Sequence, residues 1–159
     1  MKNISEHITY REATKSSTAI RKGLENIPNM EELSNMELIA EKIFEPLREH
    51  ANGPIKINSF FRSQSLNKAI GGASKNGIQT SQHCKGQAID LDDQYGYLTN
   101  AQMFHYIKNN LNFDKIIWEF GDDTNPDWVH VSYINEQKNK NEVLVAYREK
   151  GKTKYKYYG

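Results

Sequence analysis

The chain has 159 residues, a formal net charge of +1, 37% apolar residues and 26% charged residues. Those figures exclude a disordered polyelectrolyte and give no global field that would draw nucleic acid or a membrane surface. They fit one domain with one core, and the single cysteine, Cys84, excludes an internal disulfide.

No apolar run approaches the roughly 20 residues of a membrane span. The first ten residues lack an apolar h-region, so the expectation is cytoplasmic synthesis without a signal peptide. The chain divides into a helical part over 1–50, a core over 51–148 and a basic, aromatic tail over 149–159, all within one domain. The tail reads as a solvated edge or frayed end, or as a weak contact for an anionic wall polymer.

Thr9 and Glu12 have the spacing of a capping box and predict a short helix. Leu33, Met36, Leu38, Ile39, Ile43, Phe44 and Leu47 recur at threes and fours, which predicts a helix over about 30–49 with one buried stripe. Gly53-Pro54 stops it. The alternation over 55–60 predicts a strand, 63–70 a short helix, and 71–77 a loop by composition. Strands are expected at 88–91, 113–120, 128–133 and 142–147, the last paired with the tail through Lys150-Gly151. A helix is expected over 99–109, capped by Thr99 or Asn100. Helices followed by mostly hairpin-linked strands imply an α+β fold, an antiparallel sheet covered by helices.

The segment that carries chemistry is Ser81-Gln-His83-Cys-Lys-Gly86-Gln-Ala-Ile-Asp90, followed forty residues later by Trp128-Val-His130-Val-Ser. Two imidazoles and a carboxylate suit a catalytic zinc ion with a fourth position free for water. On one helix His83 and Asp90 would stand about 10.5 Å apart along the axis, too far for two short side chains to share an ion. A loop carrying His83 that turns through Gly86 into a strand carrying Asp90 solves this. Alternation then places Trp128, His130 and Ser132 on one face of their strand, and Val129, Val131 and Tyr133 on the other. Cys84, beside His83, reads as a packing thiol.

These motifs, with Phe61-Arg62-Ser63, Ser17-x-Thr-Ala-Ile and Glu45-Pro-Leu-Arg48, resemble the zinc D-Ala-D-Ala carboxypeptidases and L-alanyl-D-glutamate endopeptidases, especially their phage and prophage branch. That family shares its fold with hedgehog signalling domains. The resemblance implies one zinc ion on His83, Asp90 and His130, and Arg62 on the substrate carbonyl and the developing oxyanion. Many members carry a glutamate three residues before the second zinc histidine, where this chain has Asp127, one methylene shorter. Glu119 is the rival for general base, and the residues leave the choice open. Ser81 is a candidate for substrate binding or for a local turn bond.

The expected function is zinc-dependent hydrolysis of peptidoglycan stem peptides, endolysin-like or carboxypeptidase-like, by a monomer with neither nucleic-acid nor membrane partners. A non-catalytic zinc-containing binding module and a small D-Ala-D-Ala dipeptidase are the alternatives.

Overall fold

The computed structural model describes residues 2–159; Met1, the first residue of the expected domain, lies outside them. Two short helices open the chain, α1 (Tyr10–Thr14) and α2 (Ser17–Lys22). Thr9 caps the first by accepting the Glu12 N–H at 3.0 Å. The second is capped by Ser16 and stopped by Gly23 in the left-handed conformation.

The long expected helix runs as α3 (Met30–Ile39), a π-helical turn over Ala40–Phe44, and α4 (Glu45–Ala51). Its start is a full capping box, Asn29 with Glu32. Its apolar stripe is the core: Met36, Ile39, Ile43, Phe44 and Leu47 are buried, with Leu33 and Leu38 packed partly against them. Removing such a side chain, as in Leu47→Ala, costs about 2–5 kcal/mol through lost transfer energy and the cavity left behind.

Six strands form one sheet: β1 (Lys56–Ser59), β4 (Ala88–Asp92), β5 (Lys115–Glu119), β6 (Trp128–Ser132), β7 (Glu142–Glu149) and β8 (Lys152–Tyr157). Across the sheet their order is β1-β4-β6-β5-β7-β8. Neighbours are antiparallel as expected except β5 and β7, which run parallel. The strand after β6 crosses to the far side of β5 and so enters beside it in the same direction. The basic tail is not frayed: it is the edge strand β8, joined to β7 through Lys150 and Gly151, both at positive φ, as a two-residue hairpin turn requires.

Helix α5 (Gln64–Ala69) follows β1, and the expected loop after it contains a two-stranded hairpin, β2 (Ser74–Lys75) with β3 (Ile78–Gln79). Helix α6 (Asn100–Asn110) is capped by Thr99, and its buried Met103, Phe104 and Ile107 join the core. One face of the sheet is buried under the helices through Ile89, Leu91, Ile116, Trp118, Val129 and Val131. The alternate residues of the same strands face the other way, and they include Asp90, His130 and Glu119. No helix among the described residues is long and apolar enough to cross a membrane.

Candidate metal centre

His83 sits on a 3-10 turn, Gln82–Lys85. Ser81 caps this turn, its Oγ accepting the His83 N–H at 3.2 Å. Gly86 ends it at φ +73°, and a Cβ there would meet the Glu32 carbonyl at 2.5 Å, so glycine is required both by backbone and by space. The chain then enters β4, where Asp90 lies directly opposite His130 of β6. The loop-turn-strand path anticipated for His83 and Asp90 is the one observed.

The donor atoms of His83, Asp90 and His130 all lie within 4.8 Å of one another. His83 Nδ1 is 2.7 Å from the Phe60 carbonyl, an acceptor only, so this nitrogen carries the proton and donates. Nε2 is thereby left as the lone-pair nitrogen. It is buried without a hydrogen-bond partner, 3.3 Å from Asp90 Oδ2. A buried acceptor with nothing to accept is costly in a finished core and is what a metal ligand looks like. His130 Nδ1 stands 2.9 Å from Asp90 Oδ1. Burial pushes the Asp90 pKa up, but His83 and His130 in their protonated forms override it and hold the carboxyl well below the usual carboxylate range; a bound cation would supply that positive charge to neutral imidazoles. An ionised aspartate between two imidazoles fits a divalent zinc-type cation.

A second cluster, Glu6, His7 and Glu45, lines a cavity of about 490 Å³ near α4. It is largely exposed, and it holds no buried, unpartnered imidazole nitrogen such as His83 Nε2 in the first.

Arg62 Nη2 lies 3.5 Å from Asp90 Oδ2. Its Nε donates to Ser59 Oγ at 3.1 Å and its Nη1 to Asn67 Oδ1 at 3.2 Å. Asn67 is fully buried and in turn donates to Gln79 Oε1 at 2.7 Å and to the Ala73 carbonyl at 3.1 Å. This asparagine fixes the guanidinium plane, and a lone Asn in a short helix carries no signal in the sequence. Arg62 and Ser59 also line a cavity of about 370 Å³ beside α1 and α2.

The two carboxylates considered as base are placed very differently. Glu119 is the last residue of β5, opposite Trp128, with Ile117 opposite His130, so Glu119 and His130 share a face. It is 7% exposed. Burial raises its pKa to about 7, with His130 and Arg62 pulling down and Asp90 pushing up. Asp127 precedes β6 and is exposed. Its backbone is engaged, N–H to the Glu119 carbonyl at 2.8 Å and C=O to Asn100 Nδ2 at 3.0 Å. Cys84 is buried, with its pKa raised chiefly by burial, and it is not one of the clustered donors.

Two imidazoles and an aspartate converge as a group able to hold a metal ion, with Arg62 beside Asp90 and the buried Glu119 on the His130 face of the sheet. A family model described as Peptidase M15 matches residues 6–132, well over half of the chain. The protein belongs to the M15 family of zinc peptidases and is a metallopeptidase. No curated protein matches it.

Proposed function

We propose that the protein hydrolyses peptide bonds of peptidoglycan stem peptides, with zinc held by His83, Asp90 and His130 and with Glu119 as general base. The observation that carries the catalytic part is the burial of Glu119 on the His130 face, electrically coupled to His130, Asp90 and Arg62. The substrate class rests on the motif resemblance around His83, Asp90, His130 and Arg62. The side chains of Arg62, Asp90 and His130 are 10–16% exposed, so solvent reaches the donors at one point of an otherwise buried cluster.

Bound at these residues, zinc would polarise the scissile carbonyl and acidify water. Burial makes Glu119 a stronger proton acceptor than an ordinary carboxylate, able to take a proton from water and return it. Water adds to the carbonyl carbon while its proton passes to Glu119; the proton then moves to the amide nitrogen as the C–N bond breaks. Arg62, held by Ser59 and Asn67, places a fixed positive charge where the carbonyl oxygen gains negative charge. The phenylalanine carbonyl at position 60 keeps His83 in one tautomer. Ser81 serves the metal loop through its bond to His83.

Mass spectrometry of purified peptidoglycan digested by the wild type, Asp127→Asn and Glu119→Gln tests this reading. New stem-peptide termini are expected with the first two, and Glu119→Gln should slow their release about 100-fold, the typical scale for loss of a general base. Zinc content serves as control. Full activity in Glu119→Gln with a large loss in Asp127→Asn would transfer the role to Asp127. Wall binding without new termini would make the protein a binding module.

A further inference from the structure

The hairpin β7–β8 lies wholly beyond the segment that matches the family, which ends at residue 132, yet it is built into the sheet that carries the metal donors. Strand register says which of its residues reach the site. Trp128, Glu119, Ala146 and Tyr155 are successive cross-strand neighbours on β6, β5, β7 and β8. They form one row on the face that bears Asp90 and His130. The residue between Glu119 and Tyr155 is alanine, the smallest side chain that keeps a strand regular, and it is fully buried. Tyr155 therefore has no bulky neighbour separating it from Glu119, two strand spacings or about 10 Å away along the sheet. Its own side chain is not consumed by packing: the residue is 56% exposed, although a large aromatic ring on an edge strand ordinarily folds onto the core.

We infer that Tyr155 is a substrate-positioning residue, whose hydroxyl donates a hydrogen bond to the peptide lying across Asp90, His130 and Glu119. The inference rests on the peptidase reading above and names a residue of that same cleft. Tyr155 closes the side of the face opposite Arg62, so a peptide crossing the metal site meets a cationic donor from the segment after β1 on one flank and a neutral donor from β8 on the other. Burial, and then Glu119 and Asp90, raise the phenol's pKa, so the hydroxyl keeps its proton and remains a donor at any working pH. A phenol that binds ground state and transition state alike contributes to KM and leaves kcat unchanged.

The test uses zinc-loaded wild type, Tyr155→Phe and Tyr155→Ala with a muramyl pentapeptide as probe. Cleavage is followed by kcat and KM, and binding by calorimetry to the same protein carrying Glu119→Gln, with zinc content and thermal midpoint measured for each variant. Tyr155→Phe should raise KM and weaken binding about 5-fold, the scale of one neutral hydrogen bond, at unchanged kcat, zinc content and midpoint. Tyr155→Ala should weaken binding further, because the ring is lost as well. Unchanged KM and binding in both variants would overturn the inference while cleavage by the wild type left the peptidase reading intact. A drop in midpoint or zinc content that accounts for the change would reduce Tyr155 to a structural role and also overturn it. Tyr155-dependent binding without cleavage by the wild type would keep the inference and remove the hydrolytic reading; absence of both binding and cleavage would remove both.

Discussion

Glu119→Gln makes a prediction about stability that is independent of catalysis. In the folded, metal-free protein burial lifts the Glu119 pKa from the ordinary 4.5 to about 7. Below pH 4.5 the side chain is protonated in both folded and unfolded chains, and no penalty exists. As pH rises toward 7 the unfolded chain releases its proton while the folded one retains it, so folding stability falls; above 7 the full cost of the buried charge is present. At about 1.4 kcal/mol for each pH unit of displacement, the cost saturates at roughly 3 kcal/mol. Glutamine has the same shape and no charge, so the variant escapes this loss. Urea unfolding of chelated wild type and Glu119→Gln, followed by fluorescence of Trp118 and Trp128, should therefore give curves that diverge with pH. Carboxylates remote from Glu119 are common to both proteins and cancel in the difference. The variant should gain roughly 3 kcal/mol over the wild type between pH 4 and pH 8. Zinc should shrink the gain, because a cation beside the carboxylate favours its charged form. A difference that does not change with pH would show that Glu119 is not held in a charge-hostile environment and would remove the physical basis for its role as base.

Two further outcomes follow from the metal centre. Metal analysis should give about one zinc per chain, lost in the His83→Ala, His130→Ala double variant, and chelation should abolish activity while far-UV circular dichroism stays nearly unchanged, since the sheet and helices share a core away from the donors. Collapse of the dichroism on chelation would make the site structural. Arg62→Lys keeps the charge but loses the planar fork that reaches Ser59 and Asn67 at once, so activity should fall about 10-fold or more with zinc content intact; unchanged turnover would remove Arg62 from the cleft.

The helices and most strands could be read from periodicity because each buries a stripe of its own residues. The approach of His83 to Asp90 could be read because their loop-turn-strand path is local and turns at a left-handed Gly86. What escaped depended on pairing between distant segments. Residues 142–147 carry the same apolar pattern whether they run parallel or antiparallel, so the parallel placement of β7 beside β5 left no mark in composition. The Asn76-Gly77 pair is a strong hairpin signal, with both residues at positive φ, but it joins strands of two residues each, too short to show alternation. The π-turn over Ala40–Phe44 is a change in hydrogen bonding and leaves the apolar spacing intact. Tyr155 and Tyr157 alternate visibly with the tail lysines, but which face the tyrosines take is decided only by the register of β8 on β7. The reading of Glu119 over Asp127 has the same character: the Glu119–Trp128 pairing that favours it is encoded by no local pattern.

Register is therefore the quantity the site depends on, because a slip of one residue in β4, β5 or β6 would send its chemical side chain into the apolar layer. The end of β5 shows how this is held. Phe120, directly after Glu119, adopts φ +59°, a conformation that is costly for a bulky residue, on the order of 1–3 kcal/mol. Three contacts hold it there: its N–H donates to the Ala146 carbonyl at 3.0 Å, its ring packs on Trp128 at 5.5 Å, and the Arg148 guanidinium lies over it at 4.5 Å. Gly121 follows at φ +71°, where a Cβ would meet the Asn125 carbonyl at 2.2 Å, so the turn closes tightly back toward β6. The strand cannot continue past Glu119 and cannot slide without breaking those contacts. Two of the residues that hold it, Ala146 and Arg148, belong to β7, beyond the segment that the family model matches. The C-terminal hairpin thus supports the position of the buried carboxylate from behind while its outer strand brings Tyr155 to the front of the same row.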